Sequence, residues 1–96
     1  MNVIITRKAY NQISSIQKFI LEEYKMPITA NRFTERLIDF GFSLANVPLG
    51  YKKCTQKKWS VKNYRCATFN KTWIFVYEIK NEKIIIRDLV LGKLIK

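Results

Sequence analysis

The sequence contains no histidine and only seven aspartate and glutamate residues. The lack of histidine excludes Ser-His and Cys-His nucleophilic catalysis, together with the usual general base that titrates near neutral pH. Two cysteines without a histidine fit no zinc pattern, so we expect neither a metal site nor a cofactor. Any chemistry would therefore rely on lysine, arginine, tyrosine or a carboxylate.

Long apolar runs are absent as well. No stretch of about 18 apolar residues is present for a transmembrane helix. The apolar run in the N-terminal MNVIITRKAY is too short for a signal peptide. We therefore expect a cytoplasmic protein that does not engage a membrane. In that compartment Cys54 and Cys66 are expected to be free thiols.

Positive charge, in contrast, is abundant and uneven. The net charge is +11, and residues 49–96 hold twelve basic and three acidic residues, a balance of +9. Between Leu49 and Lys71 there are seven basic residues and no acidic one. A field of one sign favours a polyanionic partner, whether RNA, DNA or an acidic protein, and a solubilising surface is the alternative. The candidate target-binding residues are Lys52, Lys53, Lys57, Lys58, Lys62 and Arg87.

The first half of the chain has the pattern of a strand and two helices. Asn2 to Ile5 is short and β-branched, which predicts a strand, and Thr6 is a suitable helix N-cap. Apolar residues at steps of three and four predict a helix over residues 8–24. A second amphipathic helix follows Pro27, and Gly41 would let it approach its neighbour closely.

The second half has the pattern of strands. Residues 64–69, 73–80 and 84–91 are predicted strands joined by the two-residue turns 70–71 and 81–82, and residues 58–61 are a candidate short strand. Consecutive hairpins predict an antiparallel meander, covered on one face by the helices. The expected fold is α+β, with a helical hairpin on a sheet of about four strands in one domain over residues 1–96. Regular alternation would place Arg87 and Asp88 on opposite faces.

Several segments, in this order, resemble the RelE/ParE superfamily of toxins from type II toxin–antitoxin systems. They are ISSIQKFILEEY, PITANRFTERL, NVPLGYK, NYR, FVYEI and NEKIIIRDLVLGK, which together span most of the chain. None of them is a catalytic motif, and the resemblance lies in their joint order and spacing. It implies a toxin neutralised by an antitoxin, which for so basic a chain we expect to be acidic.

The resemblance implies one of two mechanisms. RelE-like members cut mRNA on the ribosome without a metal, whereas ParE-like members bind DNA gyrase. Of the basic positions in the RelE-like site, only Arg65 and Lys93 have counterparts here, so these two are the candidate catalytic residues. Ala67 and the pair Thr72-Trp73 stand at positions where RelE-like members have further basic side chains. Their absence favours gyrase binding. A ribosome-dependent nuclease, an inactive family member and a generic nucleic-acid-binding domain remain open.

For four residues, the sequence allows two interpretations each. Arg65 is either a phosphate clamp or an exposed strand residue, and Arg87 either faces a substrate groove or pairs across strands with Glu78 or another acidic residue. Trp59 and Tyr64 either stack on bases or pack in the protein.

Overall fold

The elements follow the order expected from the sequence. The computed structural model describes residues 1–92. Its elements are β1 (Asn2–Ile5), α1 (Arg7–Tyr24), α2 (Pro27–Ser43), a 3-10 turn (Leu44–Asn46), α3 (Lys57–Ser60), β2 (Arg65–Phe69), β3 (Trp73–Lys80) and β4 (Lys83–Leu91). The α+β class is confirmed. The candidate strand at residues 58–61 was wrong, because this segment forms the helical turn α3.

Local signals explain where the two long helices begin and end. The Thr6 hydroxyl accepts a hydrogen bond from the Ala9 amide at 3.3 Å and donates one to the Ile86 carbonyl at 2.8 Å. It therefore caps α1 and also ties the start of that helix to β4. Lys25 adopts a left-handed conformation with φ of 51°, which ends α1. Pro27 then occupies the first turn of α2, where its missing N–H costs nothing.

The four strands form one sheet in the order β1-β4-β3-β2. The meander β2-β3-β4 is antiparallel, as predicted, and β1 adds to β4 in parallel at the edge, with Ile5 opposite Ile86. Both predicted two-residue turns are present. All four of their residues have positive φ, as type I′ hairpin turns require: Asn70, Lys71, Asn81 and Glu82.

The main core lies between the helical hairpin and one face of the sheet. Its largest fully buried side chains include Leu37 of α2 and Phe75, Tyr77, Ile84 and Ile86 of the sheet. At Gly41, α2 lies close against the sheet, since a Cβ there would lie 3.0 Å from the Ile86 Cδ1. The expected close approach at this glycine is therefore confirmed.

A second, smaller core lies on the other face of the sheet. Trp59 of α3 packs there on Val76 and Cys54, with half-buried Tyr64 and Ile74 around it. Trp59 is 6% exposed, so it is a packing residue. The segment between α2 and β2 thus wraps around the edge strand and covers part of the face that the helices leave open.

The expectation of free thiols was wrong, because Cys54 and Cys66 form a disulfide. Lys53 pairs with Arg65 as an antiparallel bridge, which aligns the segment before α3 with β2. The Cys54 amide donates to the Tyr64 carbonyl at 2.8 Å, and the Cys66 amide donates to the Lys52 carbonyl at 3.1 Å. This pairing brings the two cysteine Cα atoms to 5.1 Å, within the range a disulfide spans.

Candidate functional site

Arg65 lies on the side of the sheet that faces the helices. Its partner in the β2-β3 register is the fully buried Tyr77. The Arg65 Nη1 donates a 2.6 Å hydrogen bond to the Tyr51 carbonyl, and the side chain is half-buried. Its guanidinium group therefore holds the backbone of the segment that follows α2.

Lys58, Lys62 and Arg87 come together on the opposite side of the sheet. They surround a cavity of about 410 Å³, which we call the cationic pocket. The residues that line it are Thr6, Lys8, Lys58, Trp59, Lys62, Tyr64, Arg87 and Asp88. Three of the six predicted target-binding residues are thus neighbours, and the fold adds Lys8 to them from the start of α1.

A β-bulge decides which way the polar residues of β4 point. Val76 pairs with Asp88 and Tyr77 pairs with Ile86, so Arg87 is the extra residue on β4. The bulge interrupts the alternation of side chains. The expectation that Arg87 and Asp88 face opposite sides was therefore wrong, since both line the cationic pocket.

Two ion pairs neutralise part of the charge at the pocket. Lys8 Nζ lies 3.2 Å from Asp88 Oδ2, and Arg87 Nε donates to Glu78 Oε2 at 2.8 Å. The pairing interpretation of Arg87 is thus confirmed. The other Asp88 oxygen accepts a hydrogen bond from Gln12 Nε2, and Gln12 Oε1 accepts one of 2.8 Å from the Leu89 amide. Asp88 is 7% exposed, so it is buried with both oxygens satisfied.

Two lysines, one in α3 and one just after it, lie over aromatic rings. Lys58 Nζ is 4.5 Å from the centre of the Trp59 ring, and Lys62 Nζ is 5.8 Å from the centre of the Tyr64 ring. Both distances are within the range of cation–π attraction. Burial, followed by the charge of Glu78 and a hydrogen bond to its side chain, raises the pKa of Tyr64. This phenol therefore remains neutral at physiological pH.

The remaining predicted residues lie elsewhere. Lys52, Lys53 and Lys57 are exposed and do not line the cationic pocket. Lys93 lies outside the described residues. The candidate cations thus occupy two faces of the sheet, with Arg65 on one and the cationic pocket on the other.

A second surface is apolar. The C-terminal half of α1 forms, with α2 and the start of β3, a groove of about 370 Å³ that we call the apolar groove. Its lining residues are Ser15, Ile16, Phe19, Ile20, Tyr24, Phe33 and Trp73. Phe19 is 56% exposed and Tyr24 is 63% exposed, with their rings in an edge-on contact at 6.5 Å. Side chains of this size and exposure on one patch mark an interaction surface.

Sequence reasoning missed two features of these surfaces. The contribution of Lys8 to the cationic pocket depends on how α1 starts beside β4, and nothing in the local sequence indicates it. The apolar groove had a signal, because Ile16, Ile20 and Tyr24 continue the apolar face of α1. Neither the sheet nor α2 covers the end of that face completely, since Tyr24 remains exposed.

Within residues 1–92, no group of three or more histidine, cysteine, aspartate or glutamate side chains is arranged to hold a metal ion. In the same part of the chain, none of the helices has the length and apolar character needed to cross a membrane.

Comparison with known proteins shows which family model this sequence matches and which solved structure has a similar fold. Residues 3–91 match the family model described as the ParE toxin of the type II toxin–antitoxin system parDE. The chain is also similar to a solved structure titled "Chromosomal ParDE TA system from P. aeruginosa", with a TM-score of 0.79 and 17% identity over 95% of each chain. At that identity the structural match supports the fold alone. No curated protein matches the sequence.

Proposed function

Because this chain belongs to the ParE toxin family of type II toxin–antitoxin systems, we propose that it inhibits growth by binding DNA gyrase. In this proposal the toxin acts in the cytoplasm, and a cognate acidic antitoxin neutralises it. The observation that carries the proposal is the family match over residues 3–91. The net charge of +11 supports both partners, since gyrase holds DNA and an acidic antitoxin would be attracted over a long range.

The distribution of the basic side chains supports binding over RNA cleavage. Metal-free cleavage needs a base for the 2′-hydroxyl proton and cations around one phosphate. Here Arg65 lies on the helix-facing side of the sheet and is bonded to a backbone carbonyl, whereas Lys58, Lys62 and Arg87 line a pocket on the other face. Side chains on opposite faces of a sheet do not surround one phosphate.

The apolar groove is the surface that best fits the antitoxin. It exposes large apolar and aromatic side chains that remain in water unless a partner covers them. An amphipathic antitoxin segment that places apolar residues in the groove, and acidic residues around it, would satisfy both the shape and the charge of this protein.

Two assays test the target, one on purified toxin and one in bacteria that express it. Purified toxin is added to DNA gyrase in a supercoiling reaction, with and without the co-expressed antitoxin. In parallel, mRNA 5′ ends are mapped genome-wide after the toxin is induced in bacteria. We expect blocked supercoiling, relief of the block by the antitoxin, and intact messages.

Two other outcomes would replace the proposal. Cleavage within translated codons that is lost in a folded Arg65→Ala variant would establish a ribosome-dependent nuclease. Normal growth with normal supercoiling and intact messages would establish an inactive member of the family.

A further inference from the structure

We propose that the cationic pocket is a binding site for the phosphoryl group of a small phosphorylated molecule. The inference does not depend on which macromolecule the toxin inhibits. It is based on the charge, the shape and the construction of the pocket.

Charge is the first argument. Among residues 1–92, four cations line the cavity, and they come from α1, from α3 and the turn that follows it, and from β4: Lys8, Lys58, Lys62 and Arg87. Asp88 pairs with Lys8 and Glu78 pairs with Arg87. Lys58 and Lys62 have no carboxylate within 4.0 Å among residues 1–92, so two positive charges at this pocket are not neutralised. A bound anion would supply the missing counter-charge.

The pocket also has donors that are already in place. The two free lysines lie over the Trp59 and Tyr64 rings, which form one wall of the cavity. Arg87 uses its Nε for Glu78, and its planar terminal nitrogens are the groups suited to a phosphate oxygen. Because these contacts reduce the freedom of the cations before binding, less conformational entropy is lost when an anion arrives.

The electrostatic surroundings favour an anion further. Thr6, which caps α1, lies in the wall, and the first turn of α1 contains no acidic residue. The partial positive charge at the start of this 18-residue helix is therefore not offset by its own side chains. Within the described part of the chain, Asp88 is the one carboxylate in the lining, and its two oxygens accept hydrogen bonds from Lys8 and from Gln12, one each.

The shape favours a small molecule over a polymer. The cavity of about 410 Å³ is in the size range of small-molecule sites, which is roughly 300 to 1,000 Å³. The remaining predicted target-binding residues do not extend it into a track, since Lys52, Lys53 and Lys57 lie outside its lining, and Arg65 lies on the other face. A nucleic-acid backbone would need such a track to bind by many phosphates.

Trp59 allows binding to be followed directly. The chain has two tryptophans, and Trp73 is in the apolar groove. In a Trp73→Phe background, Trp59 fluorescence is therefore the reporter, and isothermal titration calorimetry gives the affinity. The probes are ATP, inorganic pyrophosphate and a single-stranded RNA oligonucleotide, each at two salt concentrations.

The decisive comparison uses two double variants with the same change in net charge. Lys58→Ala/Lys62→Ala removes the free cations of the pocket, and Lys52→Ala/Lys53→Ala removes two exposed lysines outside it. All four are surface side chains, and urea denaturation verifies that both variants are folded. We expect ATP and pyrophosphate to change Trp59 fluorescence, the pocket variant to lose affinity by roughly tenfold or more, and the control variant to lose much less.

Three results would overturn the proposal. Equal losses of affinity for ATP and pyrophosphate in the two double variants would mean that these anions are attracted by the overall charge of the protein. Binding of the RNA alone, weakened by both variants, would mean a nucleic-acid surface in place of a small-molecule site. No response of Trp59 to any probe would mean that the pocket binds no phosphoryl group.

Discussion

Cys54 and Cys66 join two antiparallel segments, with their Cα atoms 5.1 Å apart. The loop that this disulfide closes contains α3 and one wall of the cationic pocket, including Trp59 and Tyr64. A covalent bond between its ends thus holds the pocket wall against the sheet.

Reduction should destabilise the protein. The cysteines are 12 residues apart, and a loop of that length corresponds to about 3 kcal/mol of unfolding free energy in the chain-entropy description. Urea denaturation with and without dithiothreitol measures the difference. The matched control is Cys54→Ser/Cys66→Ser, whose stability should equal that of the reduced protein and should not respond to the reductant. Equal stability of the oxidised and reduced wild type would contradict the prediction.

Tyr77→Phe should lower stability by about 1 kcal/mol, up to roughly 3 kcal/mol, because it leaves a part-buried carbonyl without this donor. The Tyr77 hydroxyl donates a 2.8 Å hydrogen bond to the Pro48 carbonyl, which ties the segment after α2 to the middle of the sheet. Urea denaturation at neutral pH measures this change. An unchanged midpoint would show that water satisfies the Pro48 carbonyl equally well.

The same residue should make stability depend on alkaline pH. Burial, the largest cause, raises the pKa of Tyr77 above its ordinary value of 10.0. Above that pH the unfolded chain loses the phenolic proton more readily than the folded chain, so stability falls as pH rises towards the folded pKa. Tyr77→Phe should show a shallower decline over this range. Denaturation at several pH values tests it, and parallel declines in the two proteins would refute it.

Gln12→Leu should cost about 1 to 3 kcal/mol of stability. Gln12 donates to Asp88 and accepts from the Leu89 amide, so the substitution leaves a backbone donor and a carboxylate oxygen unsatisfied. Gln17→Leu is the matched control, since it lies on the same helix and bonds only to Asn31 at the exposed surface. It should change stability by at most about 0.5 kcal/mol. Similar losses in both variants would show that Gln12 has no special role.

Phe19→Ser should weaken antitoxin binding at least about tenfold without unfolding the toxin, since an apolar side chain buried in an interface contributes more than 1.4 kcal/mol. Phe19 is 56% exposed in the apolar groove. Tyr10→Ser is the control, because Tyr10 is a 44% exposed aromatic residue of α1 outside that groove. Titration calorimetry with the antitoxin measures both. Full affinity in Phe19→Ser would place the antitoxin on another surface.

Arg65→Ala should destabilise the protein by about 1 to 3 kcal/mol through loss of its charged hydrogen bond to the Tyr51 carbonyl. Lys53→Ala, at the exposed residue paired with Arg65, is the control and should have little effect. Under the gyrase proposal, folded Arg65→Ala should still block supercoiling. Loss of that activity from a folded variant would give Arg65 a direct role in the target interface.

Much of the fold was predictable because its signals are local. Residues near one another in sequence set the helical periodicity of α1, the Thr6 cap and the two-residue turns at Asn70 and Asn81. The pairing of Arg87 with Glu78 was also accessible, since a hairpin register brings these two strands together. The segment between Asn46 and Tyr64 was less accessible, because its pattern is weak and its position depends on pairing with β2.

The sequence by itself determined the α+β class, the order of the elements, the positive charge of the second half and the absence of histidine chemistry. Each of these depends on composition or on contacts between near neighbours. Only the tertiary structure decided that Cys54 meets Cys66, that a bulge turns Arg87 and Asp88 to the same side, and that Lys8 joins Lys58 and Lys62. These features depend on strand register and on packing between distant segments, and a shift of one residue in register would change all of them.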